Sequence, residues 1–176
     1  MLVDRLDDLE ERLRDLGRPV VDLLLPGAAA SDLDGAGIQP SDVRDWFGWR
    51  NGVAERPGQT QGDVSLIPGY WPVSLAEALR MKLSYEGDPV LGESWIPILA
   101  SGGGDIYAAV WKGGSVPSVA GVLLGESTEI EFPTIETMLD LFIACYDQGA
   151  YFVGANGYLE ADPTRYEEIY DEVLGY

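Results

Sequence analysis

The sequence predicts a single α+β domain in which a mostly antiparallel central sheet is flanked by N-terminal, middle and C-terminal helices. Three observations lead there. Residues 95–111 place two apolar runs either side of Ser101-Gly102-Gly103-Gly104-Asp105, the pattern of two buried strands joined by a turn that needs positive-φ residues. Helical patterns stand before and after this group of strands, with no regular alternation of strand and helix. A length of 176 residues, 46% of them hydrophobic, suits one sizeable core, with roughly 70% of the extended chain's surface removed from water on folding. No internal repeat and no second domain interrupts residues 1–176.

Each element has a local reason. Leu2, Leu6, Leu9, Leu13 and Leu16 recur at spacings of 4, 3, 4 and 3, which predicts a helix over 1–17 stopped by Gly17 and Pro19. Its narrow leucine seam could serve a partner helix. Two heptads fall short of the three or four that mark a coiled coil, so docking on its own domain is favoured. Residues 26–37 are rich in Ala, Gly, Ser and Asp without periodicity and read as a surface loop. Residues 40–52 have a polar start, an aromatic face and an Asn51-Gly52 stop, which describe a short helix. A polar loop covers 56–63. Ser74-Leu75-Ala76-Glu77 is a capping box opening a helix to about Tyr85. Residues 119–124 form another apolar strand. Thr134 is placed to cap a helix with Ile135, Met138, Leu139, Phe142 and Ile143 on one face. Pro163 opens a terminal helix over 163–174, with Tyr166, Ile169, Tyr170 and Val173 on its apolar side and Glu167, Glu168, Asp171 and Glu172 on its wet side.

Charge and composition narrow the function. The net charge is −19, and from Leu83 onward only Lys112 and Arg165 stand against 16 acidic residues. Such a field repels nucleic acid and anionic membranes and accelerates encounter with basic proteins, although plain solubility produces the same sign. The lone Cys145 sits in an apolar run, so a disulfide and a Cys-rich metal site are both unavailable. No leader-like segment opens the chain and no apolar run approaches about 20 residues, which predicts a cytoplasmic protein.

The chain contains no histidine, which removes Ser-His and Cys-His nucleophile pairs. Acidic residues are plentiful but carry no catalytic motif. Asp32-Leu33-Asp34-Gly35 and the acidic stretch 126–131 lack the spacing of a calcium loop, and Gly102-Gly103-Gly104 lacks the Lys-Ser/Thr of a phosphate loop. A binding domain without enzymatic activity, cofactor or metal is the expectation. Its candidate contact residues are Tyr70, Trp71, Tyr107 and Trp111, aromatics whose polar or glycine-rich neighbours leave them partly exposed, together with Asp105 and the acids Glu167, Glu168, Asp171 and Glu172. Asp105 is also placed to close its own turn by an Asx-type hydrogen bond.

Four stretches taken in order also carry a family resemblance: Trp49-Arg50-Asn51-Gly52; Trp71-Pro72-Val73-Ser74-Leu75-Ala76-Glu77-Ala78; Trp95-Ile96-Pro97-Ile98 running into Gly102-Gly103-Gly104-Asp105; and Phe132-Pro133-Thr134-Ile135-Glu136-Thr137-Met138-Leu139. Over about residues 38–148 the chain resembles the SUKH superfamily of cell-wall-synthesis regulators and killer-toxin-resistance proteins. The resemblance implies an α+β scaffold without an active site that binds and neutralises a cognate toxin, often a nuclease. Relatives often place an acid at the end of the second strand, where this chain has Ala109-Val110-Trp111. The helices over 1–17 and 163–174 lie outside the resemblance. The expected function is therefore immunity against a basic toxin through an acidic surface with aromatic anchors. The alternative is a regulatory or scaffold module that binds an endogenous protein through the leucine-seamed helix.

Overall fold

The leucine seam settles the first packing choice. In the computed structural model, which describes residues 1–175, helix α1 (Leu2–Asp15) buries Leu2, Leu6, Leu9 and Leu13 completely or nearly so against helices α4 (Ser41–Trp49) and α7 (Ile135–Asp147). Each such burial contributes roughly 1.5–3 kcal/mol. Leu16 lies past the helix end and is exposed. The partner of the seam is thus the chain's own core. Arg5 and Arg12 fasten α1 to α7 through Asp140 at 2.6 Å and Asp147 at 3.1 Å.

The central sheet is a five-stranded antiparallel meander, β3 (Tyr70–Pro72), β4 (Trp95–Ser101), β5 (Ile106–Val110), β6 (Ser118–Val122) and β7 (Glu129–Phe132), paired in that order. All five residues of β5 are buried, so both sheet faces are covered. Phe142 of α7 meets Tyr107 and Phe132 on one face. Helix α6 (Leu75–Lys82) packs on β4. Thr134 caps α7 as expected, its hydroxyl accepting from the Thr137 amide at 3.0 Å. The terminal helix α8 (Pro163–Leu174) starts at Pro163 behind an Asp162 cap and buries Ile169 against α7 and the sheet's aromatic face. One cluster of buried side chains runs from Leu2 to Ile169, which makes the chain a single α+β domain.

Several local expectations are corrected. Residues 26–37 are not a free loop: β1 (Leu24–Pro26), following the short helix α2 (Val20–Leu23), pairs with β2 (Arg50–Val53), and Ala30–Gly35 forms helix α3. Only Leu33 of α3 is buried, and one anchor leaves no period to read. Helix α4 ends at Trp49, and Asn51-Gly52 continues into β2 instead of closing the chain off. The Asn51 side chain accepts from the Leu75 amide at 2.7 Å, and Gly52, at φ +80°, lies so close to Ser74 that a Cβ would stand 2.8 Å from its amide nitrogen. Of the capping box, the Ser74 half is formed, accepting from Glu77 at 3.1 Å. The helix it opens finishes as a 3₁₀ turn over Leu83–Tyr85. The polar loop at 56–63 runs into helix α5 (Gln61–Val64). A hairpin of β8 (Tyr151–Val153) and β9 (Leu159–Ala161) precedes α8. Among the described residues no helix is long and apolar enough to cross a membrane.

Candidate functional site

Strand order brings Tyr107, Gly121 and Glu129 side by side across β5, β6 and β7. Gly121 has no side chain, and the space it leaves is taken by the Glu131 carboxylate, whose Oε2 would lie 2.5 Å from a Cβ at that position. Glu131 reaches it because the β6–β7 register slips: Val119 faces Phe132 and Ala120 faces Ile130, so Glu131 is the extra residue of a bulge. The Tyr107 hydroxyl donates to Glu131 Oε1 at 3.4 Å, and the Tyr170 hydroxyl of α8 donates to the Glu131 carbonyl at 3.5 Å. The result is an open groove of about 760 Å³ lined by Glu126, Glu129, Glu131 and Tyr170.

The groove's rim is the turn at 123–127, held at both ends by carboxylates from elsewhere. Asp105 Oδ1 accepts from the Leu124 amide at 2.8 Å, and Asp88 Oδ2 accepts from the Thr128 hydroxyl at 2.5 Å. Burial opposes ionisation of Asp88, but hydrogen bonds from Thr128 and from the Leu91 and Val90 amides outweigh it and hold its pKa below the usual carboxylate value. Asp88 therefore acts as a charged acceptor at neutral pH.

Glu131 shows the opposite balance. Burial raises its pKa, the Tyr107 hydrogen bond pulls it down, and Glu129 adds a further upward push. Burial, with Asp105 and Glu131 nearby, also pushes the Tyr70 phenol up to about 12. Among the described residues no cation pairs with Glu126, Glu129 or Glu131. Six of the 11 basic side chains form ion pairs elsewhere: Arg5 and Arg12 bridge α1 to α7, Arg14 and Arg50 pair with the buried Glu10, Arg44 pairs with Asp34 and Arg165 with Glu168. Between Lys112 and Arg165 the sequence contains no Lys or Arg at all.

The structure divides the contact residues expected from sequence. Tyr70, Asp105 and Tyr107 come together beneath and beside this groove, with the Tyr70 and Tyr107 rings 5.0 Å apart. Tyr107 is only 8% exposed and supports the floor instead of reaching solvent. Asp105 reaches across to the next turn, while its own amide donates to Ser101 Oγ at 3.1 Å. Trp71 points to the other sheet face, into a cleft of about 380 Å³ shared with Glu55 and Glu77. Trp111 lies in a separate cleft with Trp95 and Lys82. Glu167, Glu168, Asp171 and Glu172 are exposed along α8, on the side that carries Glu168's pairing with Arg165. Glu126, Glu129, Glu131 and Tyr170 were not singled out as contact residues. The alternation Glu129-Ile130-Glu131 after the Gly125 turn is the signal that could have found two of them. Cys145 is buried in α7, its thiol pushed up to about 11 by that burial.

The chain matches no protein-family model and no curated protein.

Proposed function

We propose that this chain is a non-enzymatic immunity protein of SUKH type that binds and neutralises a basic toxin of nuclease type in the cytoplasm, with the β6–β7 groove as its contact surface. One observation carries the reading: Glu131 is held half-buried, its pKa raised by that burial, in a groove with Glu126 and Glu129, and among the described residues no cation pairs with it. A carboxylate kept at a cost in a cleft is a mark of function. An incoming Lys or Arg supplies the missing charge and favours the ionised form.

The mechanism is mimicry of a polyanion. Carboxylates spaced along the groove occupy positions where the toxin's Lys and Arg otherwise hold phosphates, and a charge-assisted hydrogen bond to each is stronger than a neutral one. Among the described residues the acids do not converge into a metal-binding group, which suits an extended cationic surface better than a single ion. Tyr170 supplies an amphipathic ring at the wall. The leucine seam of α1 is already filled by α4 and α7, so nothing favours the scaffold alternative.

The test begins by asking whether a neighbouring gene encodes a large secreted protein with a basic, nuclease-like C-terminal module; metabolic neighbours alone count against the immunity reading. Such a module is mixed with the chain, and nuclease activity and association rate are followed from about 0.05 to 1 M salt, where the screening length shrinks to about 3 Å. Inhibition, with association slowing steeply as salt rises, is the expected result. A salt-independent rate removes the electrostatic mechanism, and intact nuclease activity removes the immunity reading.

A further inference from the structure

The central sheet has two edges, and they are treated differently. At one, β3 is three residues long, Pro72 offers no N–H, and β2 and α5 pack beside it. At the other, among the described residues, β7 pairs with β6 on one side and no strand lies on the other, although the Glu131 carbonyl accepts from the Tyr170 hydroxyl. Glu129, paired with Gly121, and Glu131 belong to the groove face, while Ile130, paired with Ala120 and 48% exposed, stands on the other side of the pleat and also borders the groove. An open edge is a template for another strand. A second copy of this chain is a poor occupant, because it would bring further glutamates against Glu129 and Glu131.

Resting on the reading of the groove as a site for a basic partner, we propose that the partner docks by strand addition: an extended segment with Lys or Arg at alternate positions pairs its backbone with β7. The period of two then sets its cations over Glu129 and Glu131 on the groove face and its interleaved apolar residues beside Ile130 on the other. Backbone hydrogen bonds fix the register and the carboxylates select the sequence. The bulge at Glu131 confines regular pairing to a short stretch, so the charge contacts decide which strands bind.

The test uses the full chain and two probes, a capped hexapeptide alternating lysine and valine and the same peptide N-methylated at alternate amides. The second keeps every charge but cannot pair as a strand. Binding is read by amide chemical shifts and hydrogen exchange. The expected result is that the first peptide slows exchange of amides in residues 129–132 and binds about tenfold more tightly than the methylated one, the equivalent of one or two backbone hydrogen bonds. Glu129→Gln with Glu131→Gln should weaken the first peptide further. Equal binding of both peptides, still sensitive to the glutamine changes, overturns strand addition and leaves the acidic groove standing. Binding of neither peptide, or binding indifferent to the glutamine changes, overturns both. A dimer with β7 amides protected in the absence of peptide overturns the proposal in favour of a second copy.

Discussion

Glu131 and Gly121 form a unit in which one residue's missing side chain makes room for the other's charge. Burial holds the Glu131 pKa above its unfolded value, so the folded state binds that proton more tightly. The stability this confers is present below the unfolded pKa, about 4.3, and is lost as pH rises through the raised folded value. At neutral pH the ionised group therefore costs stability. Glu131→Gln is expected to raise the melting temperature at pH 7, with the gain vanishing near pH 4, and to weaken binding of the basic partner; melts across this range check the sign. Two glycine substitutions should separate in the same way. Gly52→Ala forces a Cβ to 2.8 Å from a backbone nitrogen at φ +80°, a strain of roughly 1–3 kcal/mol. Gly121→Ala meets only the end of a flexible glutamate, and denaturant titration should show a loss of under about 1 kcal/mol.

At the scale of elements, α1 is structural: Leu9 is fully buried between α1 and its neighbours, and Leu9→Ala should cost about 2–5 kcal/mol in chemical denaturation. Long periodic elements were legible in sequence because several residues vote for each. Leu2, Leu6, Leu9 and Leu13 of α1, the Thr134-capped face of α7 and the Pro163 start of α8 all lie where their spacing puts them, whereas Leu16 falls past the end of α1. Three-residue strands offer too few positions for a period of two, and the partner of Leu24 is Val53, far along the chain. Asn51 shows the limit well. Its Asn-Gly signal marked the end of a helix, but its use, holding the first amide of α6, depends on a contact 24 residues away. The groove was legible only in part for the same reason. Tyr70, Asp105 and Tyr107 stood out by their neighbours, whereas Glu131 acquires its setting from a register slip that no local pattern announces.

For the whole molecule, charge imbalance governs the response to solvent. With 30 acidic residues against 11 basic ones, the compact state carries a net negative charge that repels itself. Added potassium chloride should therefore raise the melting temperature while slowing partner association, a divergence that calorimetry and stopped-flow measurements read independently. The asymmetry also orients encounter, since among the described residues no Lys or Arg lines the groove, while α1 carries Arg5, Arg12 and Arg14. The rim of that groove is a turn clamped at its feet by Asp88 and Asp105 while its tip stays exposed. Such a mount lets residues at the tip be exchanged without disturbing the framework beneath, so the chemistry of the groove's rim can be altered by single substitutions in one short stretch of chain.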